Sequence, residues 1–342
     1  MQRREFIVTT LVSLPALACS PSKIFSEKSA KAVVVKAGVS RFGVPTPFKG
    51  INPNDLKLSS RDTDGKLSAF WYKGQERTGP SYHAHPEQDE VFYVLEGEYL
   101  FKVAEEKQIL KKGDLIFLPK TIPHTWVQLS DIGQMFYFLQ PAGKMEEFFL
   151  LMTQSGGKLS REEKSKVDKE HGIINYGPGI SANDDHTINE KISNGFIIRN
   201  GKSRYKEKTI INGKSPNDIK ISAKDTNGEL SIFEYNGREK GGPPLHIHHK
   251  QDEIFYISEG SYLFQCGDEK FNLAKGDMIF LPREVPHTWA QLTDEGQMIF
   301  FLQPCGKMEE FFRAISDGKD KSESYDPFKD HEMEVVGPVL VF

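Results

Sequence analysis

The chain has 342 residues, with 44 lysines and arginines against 48 aspartates and glutamates, a formal net charge of −4 and 38% hydrophobic residues. That balance supplies no basic footprint for nucleic acid, and no apolar run reaches the ~20 residues that a transmembrane helix needs. The length is enough for two domains of ordinary size, ~150 residues each, both able to bury a core of their own.

At the N-terminus, Arg3-Arg4-Glu5-Phe6-Ile7 precedes an apolar stretch ending Ala16-Leu-Ala18-Cys19. This is the pattern of a twin-arginine export signal over residues 1–18, which directs the mature chain to the periplasm and stands outside the fold. Cleavage after Ala18 fits a small-residue site; acylation of Cys19, as in a lipoprotein, is the alternative. After Cys19 only Cys266 and Cys305 remain, and they read as two buried thiols, with pairing left open.

Val33 to Arg41 is echoed 163 positions on by Phe196 to Arg204, with Gly38, Ser40 and Arg41 facing Gly201, Ser203 and Arg204. The recurrence of Arg41 and Arg204 suggests a structural ion pair in each copy. Asp62-Thr-Asp-Gly65 and Asp225-Thr-Asn-Gly228 are matching turn signals between strands.

The next segment carries the chemistry. Side chains alternate along a strand, so His83 and His85 point the same way and both can reach one ion. A turn over Pro86-Glu-Gln-Asp leads into the strand that Glu90 opens, which returns a carboxylate to the imidazole pair. The apolar strand Gly113-Asp-Leu-Ile-Phe-Leu-Pro119 then delivers His124. His246, His248, Glu253 and His287 repeat the set at the same offset of 163. Three neutral imidazoles and one carboxylate suit Fe, Mn, Ni, Co, Cu or Zn better than Ca or Mg, up to two ions per chain. Four protein ligands leave room at the ion for water or substrate.

Period two from His124 puts Trp126 and Gln128 on the ligand face, and from His287 it puts Trp289 and Gln291 there. Phe92 follows Glu90 on the same face, as Phe255 follows Glu253. These six residues are the candidate substrate pockets, with barrel packing as the alternative role for the aromatics. An aromatic-lined pocket suits a flat aromatic ligand better than a small polyhydroxy acid. Tyr82 in place of Leu245 and Trp71 in place of Glu234 suggest that the two pockets differ and that the first carries the chemistry.

Met145, Phe148, Phe149 and Met152 fall at helical spacing, and Gly143-Lys-Met-Glu-Glu-Phe-Phe149 recurs as Gly306 to Phe312, so a short helix follows each set. Ser160-Arg-Glu-Glu163 reads as a capping box opening a charged helix toward His171. Tyr176-Gly-Pro178 is echoed by Val336-Gly-Pro338, where the offset has slipped to 160. Asn183-Asp-Asp185 is the expected linker. His171, His186, His249 and His331 are read as surface or solvated residues, and Asp89 and Asp252 as turn residues.

Gly79-x3-His83-x-His85-x4-Glu90-x6-Gly97 with Gly113-x5-Pro119-x4-His124 resembles the paired motifs of the cupin superfamily, and Gly242 to Gly260 with Gly276 to His287 resembles them again. The resemblance implies an all-β fold, two cupin double-stranded β-helix (jelly-roll) barrels with short helices, with an N-terminal domain over 32–180 and a C-terminal one over 190–342. The chain looks most like bicupins of the quercetin 2,3-dioxygenase type, in which a metal-bound flavonol reacts with dioxygen, the heterocycle opens and carbon monoxide leaves. That likeness implies Glu90 and Glu253 as catalytic bases besides their ligand role, with dioxygen and a small, aromatic molecule as partners. Other cupin branches leave two alternatives open: a lyase or isomerase acting on a sugar or dicarboxylate, and a non-catalytic metal- or ligand-binding protein. Cupins also leave a homo-oligomer open.

Overall fold

A computed structural model describes residues 31–317 and 325–342. The export signal and Cys19 lie outside the described residues. The rest is mainly strand, arranged as four antiparallel sheets of seven, six, five and five strands. Each barrel is closed by one large and one small sheet. In the first barrel the large sheet centres on Asp89–Glu96, Gly133–Gln140, Ser68–Gly74 and Leu115–Leu118, and the small one on Tyr82–Ala84, His124–Gln128 and Glu98–Val103. The second barrel repeats this order.

The strands of the large sheets read as unbroken apolar runs because both of their faces are buried. In Asp89–Glu96, Phe92 and Val94 point into the lumen, while Val91 and Tyr93 join a core shared by the two barrels. Gly133–Gln140 divides likewise, Met135, Tyr137 and Leu139 inward and Phe136 and Phe138 outward. The shared core draws Ile254, Tyr256, Ile299 and Phe301 from the second barrel, and Phe136 stacks on Tyr256 with ring centroids 4.4 Å apart. Period two therefore serves two cores at once.

The repeats and the sheets do not share boundaries. Val33–Val35, the first strand of the described residues, pairs with Met278–Leu281 of the second barrel, and Phe196–Ile198 pairs with Leu115–Leu118 of the first. Both crossings end in the same latch. Asp277 accepts from the Ala37 amide at 2.8 Å and from Lys36 Nζ at 2.5 Å; Asp114 accepts from the Asn200 amide at 2.9 Å and from Arg199 at 2.8 Å. The repeats over 32–180 and 190–342 thus each lend their leading strand to the large sheet of the other barrel. An edge strand forms the same ladder on either barrel, so sequence offset alone cannot choose between them.

The helices form where the apolar spacing places them, at Met145–Ser155 and Met308–Asp317, and Ser160 and Glu163 cap Arg161–Glu170 with both bonds of a capping box. Arg41 pairs with Asp62 at 3.0 Å and Arg204 with Asp225 at 2.8 Å, closing the same turn in each repeat. Cys266 and Cys305 are separate buried thiols.

Trp71 and Glu234 lie on the inter-barrel side, away from either lumen. Glu234 is 1% exposed, holds Lys220 at 3.2 Å and accepts from Tyr93 Oη across the interface at 2.6 Å. The equivalent Lys57 has Trp71 in place of the carboxylate; its Nζ donates to the Lys36 and Val39 carbonyls, and burial lowers its pKa to about 8. Removing Glu234 would leave the buried Lys220 ammonium without its carboxylate partner, on the Lys202 carbonyl at 2.7 Å. Glu234→Ala should cost ~3–5 kcal/mol in denaturant unfolding, and a loss well under ~1 kcal/mol would contradict this account of the interface.

Candidate metal centres

Each ligand set is assembled from both sheets of its barrel. His83 and His124 face one another as register partners on adjacent strands of the small sheet, and His246 and His287 do the same. Glu90 and Glu253 come from the large sheets and close the sets from across the lumen. Within each group of four, the candidate donor atoms all lie within 4.8 Å of one another, and all eight residues are buried. Two ligands at ~2.1 Å from one ion stand no more than ~4.2 Å apart, so a small contraction completes either site.

The backbone fixes which nitrogen is offered. His83, His124, His246 and His287 direct Nδ1 to the carbonyl two residues earlier in the chain, at 2.7, 2.9, 2.8 and 2.9 Å. Nδ1 then carries the hydrogen and Nε2 turns its lone pair inward. Burial, followed by the charge of neighbouring imidazoles, lowers His83, His85 and His246 to about 3, and His248 falls well below its ordinary value for the same reasons. Neutral rings are the ligating form.

The donor atoms fit a cation rather than one another. His246 Nε2 and His248 Nε2 face each other at 3.2 Å, and Glu90 Oε2 stands 2.9 Å from His124 Nε2 and 3.7 Å from His85 Nε2. His85 Nε2 and His287 Nε2 are buried without a hydrogen-bond partner. A transition-metal ion would satisfy these atoms together.

The surroundings of the two centres differ. A cavity of about 1140 Å³ opens onto His83, His85 and Glu90, walled by Phe92, Trp126, Phe48, Phe148 and Phe149. It is also lined by Asp168, which is paired with Lys164 at 2.7 Å. At the slipped tail offset of 160, Asp168 corresponds to Phe328 in the second repeat. Phe328 packs its ring edge against His246 at 5.7 Å and against Phe311 at 5.2 Å. The second repeat therefore has a phenyl ring where the first has the half-buried Lys164–Asp168 ion pair.

Of the six pocket candidates, Phe92 and Trp126 line this cavity. Phe255 and Trp289 are packed inside the second barrel, on Phe300 and on Tyr235 respectively. Gln128 and Gln291 do not belong to a substrate pocket. Gln128 donates to the Gly74 and Ser130 carbonyls and meets the Tyr99 hydroxyl; Gln291 donates to Thr293 and meets Tyr262. A Cβ at Gly74 would stand 1.8 Å from Gln128 Oε1, so the glycine leaves the space the amide fills. Strand period gives a face but not a depth, and at this depth the lumen is packed.

Tyr82 is likewise no part of the cavity lining, as its hydroxyl donates to the Ala104 carbonyl at 2.9 Å. His171 and His331 are 8% and 9% exposed rather than solvated, packed against Phe148 and Phe311 with Nδ1 on a helical carbonyl. His249 is a surface residue beside Glu284. Asn54 and Tyr137 line the cavity and were not anticipated; the replacement of Tyr137 by Phe300 in the other repeat was the available signal.

Comparison with known proteins agrees with this geometry. A cupin domain family matches residues 71–138 and 232–302. Quercetin 2,3-dioxygenase from Bacillus subtilis (strain 168) is 20% identical over 277 residues, covering 77% of this chain and 80% of that protein. An uncharacterised protein of Methanocaldococcus jannaschii is 46% identical over 43 residues, or 13% of this chain and 34% of its own. Oxalate decarboxylase from Bacillus subtilis superposes with a TM-score of 0.54 at 14% identity, covering 92% of this chain and 90% of its own. The formate complex of the Lactobacillus farciminis oxalate decarboxylase gives 0.55 at 13%, covering 82% and 88%. Likeness at such identity concerns the fold. Each half of this chain carries a cupin-domain match, and the fold is that of a two-barrel cupin.

Proposed function

We propose that the protein is a metal-dependent dioxygenase acting on a flavonol or another phenolic compound, with its chemistry in the first barrel. The observation that carries this reading is the aromatic-walled cavity of about 1140 Å³ that reaches the His83, His85, Glu90 and His124 cluster. It is large enough to enclose a drug-sized ligand, for which pockets of roughly 300–1,000 Å³ are usual, and its walls suit a flat ring system. The similarity to a quercetin 2,3-dioxygenase over most of the chain supports the same substrate class.

In this reading His83, His85, His124 and Glu90 hold a divalent transition metal, which supplies Lewis-acid and redox chemistry to a phenolate and dioxygen. Glu90 Oε2 takes the proton from the substrate hydroxyl, and its place beside His124 keeps it aimed at the centre. Phe92 and Trp126, packed edge to face, form one aromatic wall against which the ring system lies and which excludes water. The second centre binds an ion in the same way, and Phe328 restricts larger molecules at His246.

A lyase or isomerase acting on a sugar or dicarboxylate fits less well. A small dianion would leave most of the cavity unfilled and would need cations at its inner end. The cations lining the cavity are Lys49, Arg77 and Lys164; the last two pair with Asp131 and Asp168, and Lys49 donates to Thr78. We further propose periplasmic export through the Arg3-Arg4 signal, which the N-terminal mass of the exported protein would check.

Metal-loaded protein should hold up to two ions per chain, and replacing His83 and His85 together by Ala should remove one and leave the other; elemental analysis without metal above background would end this reading. Glu90→Gln keeps an oxygen ligand but removes the base, so turnover should fall ~100-fold or more while metal is retained. Glu253→Gln should change turnover of the same substrate far less. The reverse pattern in steady-state rates would assign the chemistry to the second barrel.

A further inference from the structure

Asn54 stands in the wall of the first cavity, 1% exposed, at the start of the strand Asn54–Leu58. Its side-chain Oδ1 accepts a hydrogen bond from Tyr137 Oη at 2.7 Å, and its Nδ2 is buried with no partner. Tyr137 is fixed in turn, stacked between Phe70 and Phe92 at 5.2 and 5.1 Å. A phenol has a single O–H, and that of Tyr137 is committed to Asn54.

The amide is thus held in one orientation, with two N–H donors and no acceptor within the protein. A buried donor left unpaired is destabilising, and one on a residue that lines a cavity is a place where a ligand oxygen would restore the missing bond. In the second barrel Phe300 takes the place of Tyr137, and Asn217, the counterpart of Asn54, has both amide atoms without a partner. Among the described residues the tyrosine clamp is found on Asn54 and not on Asn217, and Asn54 is one of the residues lining the cavity that leads to Glu90.

We propose that Asn54, locked by Tyr137, is the specificity-determining residue of the first cavity: its Nδ2 donates a hydrogen bond to an acceptor oxygen on an aromatic substrate whose reacting end stands at the His83, His85, Glu90 and His124 cluster. This rests on the phenolic reading above and narrows it to ring systems that carry a second oxygen function besides the hydroxyl taken to the metal. Aromatic compounds without that oxygen enter the same cavity but lose the contact, leaving the donor unpaired. Tyr137 acts as a positioning residue, since it reaches the substrate only through the asparagine.

Titration of the metal-loaded full chain with quercetin tests this, using Asn54→Asp, which keeps the acceptor for Tyr137 but removes the donor, and Asn54→Leu, which removes both. Each variant should retain its metal and bind quercetin about tenfold or more weakly, the worth of one neutral hydrogen bond together with its unpaired partner. Asn217→Leu should bind like the parent. Unchanged quercetin affinity in both Asn54 variants, or an equal loss in Asn217→Leu, would overturn the assignment while leaving the phenolic reading in place. Failure of the parent protein to bind quercetin would overturn both.

Discussion

The structure depends on the burial of the two large sheets on both of their faces. One face of each sheet packs against the other barrel, through Tyr93, Phe136 and Phe138 from the first and Tyr256 and Phe301 from the second. The other face lines a lumen and presents Glu90 or Glu253 to three histidines. A strand buried on both sides cannot slip by a single residue without exchanging its two sets of side chains, so the interface between barrels also fixes the register of the carboxylates. The crossed leading strands and the Asp114 and Asp277 latches tie each barrel to the repeat of the other. Stability and site geometry are in this sense one constraint.

Duplication then left room for divergence. Both ligand sets are complete, and both use the same carbonyl two residues back to orient an imidazole. What changed is what stands around them. Asp168 became Phe328, Tyr137 became Phe300 and Trp71 became Glu234 between the first repeat and the second. The first exchange replaces an ion pair by a ring that packs on His246, the second sets whether an asparagine is clamped, and the third lies at the barrel interface, where it decides whether a buried lysine has a carboxylate or an indole beside it.

The ligand sets were legible because strand alternation and a constant offset leave little freedom: His83 and His85 must share a face, and four matched positions recur at one interval. The helix over Met145–Ser155 was legible for a similar reason, its apolar stripe having one period. Other features depend on distance along the lumen or on tertiary pairing, which period does not encode. Gln128 shares a face with His124 yet ends on Gly74 and Tyr99, and Trp71 meets the other barrel. The crossing of Val33–Val35 was hidden because a ladder on either sheet uses the same backbone groups. Phe328 escaped notice because the offset slips in the tail, so a ligand-by-ligand comparison of the repeats never brings it opposite Asp168.

The central claim is that the first centre serves an aromatic, oxygen-consuming reaction. Dioxygen uptake by metal-loaded protein, followed on an oxygen electrode across a panel of flavonols, simpler phenols, dicarboxylates and sugars, tests it most directly. Uptake that requires metal, occurs with flavonols or other phenols and is absent with the dicarboxylates and sugars is the predicted result. Conversion of a dicarboxylate or sugar without oxygen consumption, with no phenolic turned over, would contradict the account.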